Sequence, residues 1–122
     1  MKMICIQKTG RPLSKPIEAV LCTSFLCRLR GWMFRRQMAP CEGLLLVGGS
    51  ESRWEAAIHM LGVCQDLGVL WLDRQLRVVD KCLARAWRPM YIPRHPAKYV
   101  LEIAPERLEE FEIGDELQLD AV

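Results

Sequence analysis

The chain is expected to fold as a mainly β, compact single domain over residues 1–122, a β-barrel or β-sandwich with one or two short helices. Three observations predict this. Short runs rich in branched and aromatic residues recur at close spacing between turn residues, the pattern of small all-β domains rather than of alternating βαβ units. Only two segments, near 25–30 and 105–111, carry helix signals. Finally, 122 residues with 51% hydrophobic and 26% charged side chains suffice for one core, with no repeat, low-complexity stretch or linker to divide it.

The elements follow in order. Met1 to Gln7 alternates like a strand, and Lys8-Thr9-Gly10-Arg11-Pro12 interrupts it before a second apolar run, Ile17 to Cys22. Ser24 is placed to cap a short helix over Phe25 to Arg30, where Phe25, Leu26 and Leu29 recur at one-turn spacing and Gly31 supplies a stop. Gly43 to Val47 is a continuous aliphatic run, read as a buried strand that ends in a tight loop at Gly48-Gly49-Ser50. Trp54 to Met60, Leu67 to Leu72 and Leu76 to Leu83 read as further strands, with a turn at Asp73-Arg74-Gln75 and a long loop from Trp87 to Pro96. Tyr99 to Ile103 is another strand. Pro105 opens a helix through Phe111 at the first-turn position that proline prefers. Gly114-Asp115 then turns the chain into a last strand, Glu116 to Leu119.

Composition excludes several classes. No apolar stretch approaches the roughly 20 residues that span a bilayer, so no membrane association is expected. The first residues carry one lysine and a very short apolar run, far from a signal-peptide core, and a cytoplasmic location is expected. The six cysteines, at 5, 22, 27, 41, 64 and 82, form no Cys-x-x-Cys pair and sit mostly among aliphatic residues, which favours reduced thiols packed as small hydrophobes. Cys41 stands apart in the polar turn Ala39-Pro40-Cys41-Glu42-Gly43. The net charge is +2, but residues 1–100 hold 16 Lys or Arg against 7 acids and residues 101–122 hold one Arg against 8. An acidic C-terminal region lying across the basic body is the favoured reading of that split.

Several segments, taken in order, resemble a known family. Arg28-Leu29-Arg30-Gly31-Trp32-Met33-Phe34-Arg35 is similar to its Arg-x-x-Gly-Leu-Met-(Phe/Tyr)-Arg element, with Trp32 in the leucine position. Gly43-Leu44-Leu45-Leu46 resembles its Gly-Met-Leu-Phe strand. Ile58-His59-Met60-Leu61-Gly62 with Asp66-Leu67-Gly68-Val69-Leu70-Trp71-Leu72-Asp73 resembles its central signature, and Tyr99-Val100-Leu101-Glu102 with Gly114-Asp115 its closing part. The family is the one called domain of unknown function 192, and the resemblance covers about residues 15–119. Leu61 and Gly62 stand where its commoner branch has Lys and Asn, Asp66 replaces a proline, and Gly68 an aspartate. The resemblance implies a small, mainly β domain and supplies no activity.

Candidate residues are few. His59, between Ile58 and Met60, is expected to face away from both and to be solvent-facing or locally hydrogen-bonded. His95 lies in the stiff loop Pro93-Arg94-His95-Pro96. Two histidines and dispersed thiols give no zinc spacing, so neither a metal site nor a cofactor is expected. Gly48-Gly49-Ser50-Glu51-Ser52 lacks the second glycine of a nucleophile elbow. Glu42, Asp73 and Glu102 are candidate carboxylates, but nothing in their spacing brings two together. Arg28, Arg30, Arg35 and Arg36 beside Trp32 and Phe34 combine guanidinium and aromatic groups, the pairing that binds phosphates and stacks on bases. The loop Trp87-Arg88-Pro89-Met90-Tyr91-Ile92-Pro93 is more apolar than an idle surface loop.

The favoured function is a non-enzymatic binding or accessory module with a cleft near Trp32, His59 and the 87–93 loop, Arg30, Trp32, His59 and Arg88 being the ligand-binding residues. The partner is an unknown small molecule or protein, met by a monomer or homodimer. One alternative is nucleic-acid or phosphate-ligand binding through Arg28, Arg30, Arg35 and Arg36, against which the acidic C-terminal region weighs. The other is a hydrolase or lyase using His59 with a carboxylate, which requires the two within hydrogen-bond reach.

Overall fold

Residues 2–122 are described by a computed structural model. It has seven strands: β1 (Met3–Lys8), β2 (Ile17–Cys22), β3 (Glu42–Ser52), β4 (Leu67–Leu72), β5 (Val78–Ala84), β6 (Ala97–Ile103) and β7 (Leu117–Ala121). One α-helix, α1 (Phe25–Arg30), follows β2, and a 3₁₀ helix over Pro105–Glu110 follows β6. The strands form one sheet in the order β5-β4-β6-β3-β2-β1-β7, antiparallel throughout except for the parallel pair β2 and β3.

The mainly β single domain with short helices is therefore as expected, but the sheet is neither doubled into a sandwich nor closed into a barrel. It curls until its edge strands meet at one end only. There Val78 and Leu117 donate backbone N–H to Asp115 and Leu76, and Gly114 donates to Val78, but no ladder extends along the rest of β5 and β7. Alternation along the strands sorts the core onto two faces. Ile6, Ile17, Leu45, Leu70, Leu101 and Ile103 point to one side with Phe111 and Leu117. Leu44, Leu46, Val69, Trp71 and Val100 point to the other, beneath Trp32, Met38, Ile58, Met60 and Val63 from the connecting segments. Both faces of the sheet centre are covered, which is why all six residues of β4 are buried.

Local chemistry accounts for most boundaries. The Ser24 side chain accepts the Cys27 N–H at 3.1 Å and Gly31 ends α1 at φ +49°. Two sequence expectations fail. Trp54 to Met60 is not a strand: the Ser52 hydroxyl accepts the N–H groups of Trp54 and Glu55 and starts a turn, after which only Ile58 bridges to Tyr91. Conversely, Gly48-Gly49-Ser50 does not end β3, which runs on through a register shift between Val47 and Ser52. The strand expected to begin at Met1 begins at Met3; Met1 lies outside the described residues.

The cysteine reading also needs correction, since Cys22 and Cys27 form a disulfide that ties the end of β2 to α1, with Cα atoms 5.6 Å apart. Cys5, Cys41, Cys64 and Cys82 are free, with Cys41 exposed. Two ion pairs join the acidic C-terminal region to the basic body, Lys8 with Asp115 at 3.2 Å and Arg77 with Glu116, whereas Arg28, Arg36, Arg74, Arg85 and Arg94 pair with acids of the body itself. Within the C-terminal region buried Arg107 pairs with Glu110 and donates to the carbonyls of Pro40 and Lys15. The described residues contain no helix long and apolar enough to cross a membrane.

Candidate functional site

Strand β6 lies at the middle of the sheet, flanked by β3 and β4. Leu101 and Ile103 pack on one face, so Glu102 must point to the other, where its sheet neighbours are Leu44 and Val69. A carboxyl group thus occupies a position that the alternation reserves for an apolar side chain, and it is 3% exposed. Above it the chain leaves α1 at Gly31. The left-handed φ there favours glycine, and a Cβ on Gly31 would lie 3.6 Å from Glu102 Oε2, so the backbone passes directly over the carboxyl.

Helix α1 itself buries none of its residues. It is held by the Cys22–Cys27 bridge, by the Arg28–Glu55 ion pair at 3.1 Å and by His59, whose Nε2 lies 2.7 Å from the Leu29 carbonyl oxygen. Between α1, the 55–59 segment and the sheet lies an open cleft of about 410 Å³. Phe25, Leu29, Leu46 and Ile58 supply apolar walls, and Arg28, Arg30, Glu55, His59 and Glu102 supply the polar groups.

Burial pushes the Glu102 carboxyl up to about 7, with the nearby Arg35 guanidinium pulling the other way. Its Oε1 is buried and has no hydrogen-bond partner among the described residues. Because a carbonyl can only accept, His59 Nε2 must carry the proton of its bond to Leu29, which leaves Nδ1 as the free ring position. That Nδ1 is also buried without a partner, as is Arg28 Nε. An unsatisfied buried polar group costs about 1–3 kcal/mol. Two unpartnered atoms that can accept, Glu102 Oε1 and the Nδ1 of a neutral His59, and one unpartnered donor, Arg28 Nε, thus lie just beneath the lining of the cleft, one of them on a carboxyl that changes charge near neutral pH.

The sequence-derived residues divide. Arg30 and His59 line the cleft, and His59 is locally hydrogen-bonded as expected. Trp32 is buried beside it, with Nε1 donating to the Arg36 carbonyl at 2.8 Å and the Arg35 guanidinium 5.1 Å above its ring. It faces a shallower depression shared with Arg30, Phe34, Arg35 and Arg36. Arg88 is exposed and outside the cleft lining, and its carbonyl accepts the Met60 N–H at 3.0 Å. The 87–93 loop contributes no lining residue. Instead Tyr91 exchanges two backbone hydrogen bonds with Ile58, which anchors the segment that carries His59. No carboxylate is hydrogen-bonded to His59 among the described residues, nor do any three His, Cys, Asp or Glu side chains cluster as a metal site would require. Of the arginine segment, Arg28 is engaged by Glu55 and Arg36 by both oxygens of Glu42 rather than by the acidic C-terminal region.

Two departures from the family pattern have local explanations. Gly62 sits at φ +78°, a conformation that asparagine also tolerates, and a side chain at Gly68 would crowd Ile103 and Leu108. Glu102, named from the sequence as one of three candidate carboxylates, was set aside for want of a partner, and its place beneath the cleft was not foreseen. Its signal was an acid within a strand whose neighbours on both sides in sequence, Val100-Leu101 and Ile103, are core residues.

The family model described as "Uncharacterized ACR" (DUF192) matches residues 5–120. A UPF0127 protein of Thermococcus gammatolerans is 38% identical over 100 residues, 82% of this chain and 62% of that protein. One of Pyrococcus horikoshii is 33% identical over 116 residues, 93% of this chain and 96% of that protein. The chain thus spans about three-fifths of the length of the first relative and nearly all of the second. Among solved structures, a "putative transcription regulator" from Sinorhizobium meliloti superposes with a TM-score of 0.84 at 23% identity, covering 97% of this chain and 92% of that one. A protein of unknown function from Novosphingobium aromaticivorans gives 0.82 at 18% identity, covering 95% and 83%. At these identities the two structures show the fold alone.

Proposed function

Because the chain belongs to the DUF192 family, which is uncharacterised and brings no activity with it, we propose from its own cleft that it is a small-ligand binding module, without a catalytic step. The observation that carries this reading is Glu102 Oε1, buried and unpartnered at the floor of an open cleft of about 410 Å³. A ligand donor reaching that oxygen would remove a standing cost in the fold, and the apolar walls would shield the bond from water.

The other readings have less support. Acid–base catalysis by His59 needs a carboxylate to orient the ring, and a backbone carbonyl holds it instead. Binding of nucleic acid through four arginines loses force because Arg28 and Arg36 are already paired with acids of this chain. Against cytoplasmic residence stands the Cys22–Cys27 bridge, since thiols are kept reduced there in most organisms.

The test is an amide-resolved NMR titration of the full chain with millimolar primary amines, amides and alcohols of four to eight carbons. Shifts should cluster on Gly31, Ile58, His59 and Glu102 and vanish in Glu102→Leu, which keeps the shape and removes the acceptor. The same shifts in both proteins, or none in either, would overturn the reading.

A further inference from the structure

Helix α1 forms one wall of the cleft, yet burial of apolar surface does not hold it there. It runs between two buried residues, Cys22 at the end of β2 and Trp32 after the turn at Gly31, but buries none of its own, and Phe25, Leu26 and Leu29 are all exposed. Six residues are too few to persist as a helix in water, where even good sequences need roughly 12–15. Its noncovalent ties are the partly exposed Arg28–Glu55 pair and the bond from His59 to the Leu29 carbonyl, and surface contacts of this kind contribute little. Its one covalent tie to the sheet is the Cys22–Cys27 bridge.

That tie acts on the backbone that covers the site. The Cys27 carbonyl accepts the Gly31 N–H at 3.0 Å, and a Cβ on Gly31 would lie 3.6 and 3.7 Å from the two carboxyl oxygens of Glu102. Glu102 Oε1, unpartnered and shielded from solvent, thus lies under the turn that ends α1. A ligand reaches it only when that turn moves.

We propose that α1 is a lid over Glu102 and that the Cys22–Cys27 bridge is its latch: the oxidised chain keeps the lid shut, and reduction frees residues 23–31 to move off the carboxyl. This rests on the cleft being a ligand site and adds its regulation. The reductant is a dithiol. Its first thiolate attacks the sulfur of half-buried Cys27 rather than that of fully buried Cys22, and the Cys22 thiolate leaves. Its second thiol then displaces Cys27, so that two electrons and two protons reach the cysteines and the reductant departs as its own disulfide. The sheet keeps its core, because α1 adds no buried residue to it.

The experiment compares the untagged full chain, oxidised and after reduction with dithiothreitol, by amide hydrogen exchange and by titration with primary amines of four to eight carbons. On reduction the Arg28 and Gly31 amides should exchange at least tenfold faster while those of β3 and β6 keep their rates, and the best amine should bind at least tenfold more tightly. Cys27→Ala, which has no latch, should match the reduced chain with or without dithiothreitol. Unchanged exchange at Arg28 and Gly31 would overturn the latch and leave the cleft reading standing, and so would faster exchange with equal amine affinity in the two states. If α1 opens but the amines bind neither state, or bind Glu102→Leu equally well, the cleft reading falls and the regulation with it.

Discussion

Replacing Glu102 by glutamine keeps the size and shape of the side chain and removes its charge. In the folded chain this carboxyl is raised to about 7 from an ordinary value of 4.5, chiefly by burial. An acid raised by folding holds its proton longer in the native state. Its contribution to stability is therefore fully present below pH 4.5 and is lost as pH rises to about 7. At 1.36 kcal/mol per pH unit, the loss amounts to about 3 kcal/mol by pH 8, with about 2 already gone at pH 6. Glu102→Gln escapes that loss. The two proteins should have nearly equal unfolding free energies at pH 4 and diverge steadily, the variant being the more stable by about 3 kcal/mol at pH 8. Urea unfolding of both at half-unit pH steps measures the divergence directly. Taking the difference cancels titrations common to both, including those of Glu42, Glu55 and Glu110, whose carboxyls hydrogen bonds hold below their ordinary range. Parallel profiles would refute the claim that Glu102 is ionised against burial in the native state. A divergence of opposite sign would mean that Arg35 outweighs desolvation and that Glu102 is a buried ion-pair partner.

Three further outcomes follow from the same geometry. Gly31→Ala should destabilise by roughly 1–2 kcal/mol in urea, because its left-handed backbone disfavours a side chain, while the 3.6 Å approach to Glu102 is ordinary contact. Trp71→Phe should cost roughly 1–3 kcal/mol in the same assay, since the buried Ala56 carbonyl loses the indole donor at 2.8 Å. Alkylation at pH 8 followed by mass spectrometry should modify exposed Cys41 and Cys64 well before Cys82, whose thiol burial and then Asp80 push up to about 11, and should reach Cys22 and Cys27 only after reduction.

What the sequence revealed depended on how local its causes were. The bounds of β2, α1 and β4 could be read directly, because alternation, a serine cap with a glycine stop, and an unbroken apolar run each act within a few residues. The 54–60 segment misled for an instructive reason. Ala56, Ile58 and Met60 are indeed buried in alternation, but burial requires only an extended chain, whereas a strand requires a ladder, and among these three only Ile58 forms a β-bridge while Met60 bonds to the turn at Trp87 and Arg88. The curl that brings β5 to β7 is a property of seven strands together and leaves no mark in any one of them.

The site was half readable for the same reason. His59 and Arg30 stood out as chemical types in an apolar context, whereas Glu102 was passed over because no second carboxylate lay near it in sequence. The structure shows that a second carboxylate is not what makes it distinctive. A glutamate buried at the centre of a sheet, beneath a glycine that brings the backbone onto it and beside an arginine that does not hydrogen-bond to it, weakens the fold progressively as pH rises from 4.5 to about 7. Leucine at 102 would continue the core formed by Leu44 and Val69 at no such cost. Packing alone therefore gives no reason for the acid, and the proposed ligand site would give one, since Glu102 Oε1 and His59 Nδ1 lie unpartnered just beneath the lining of the same cleft.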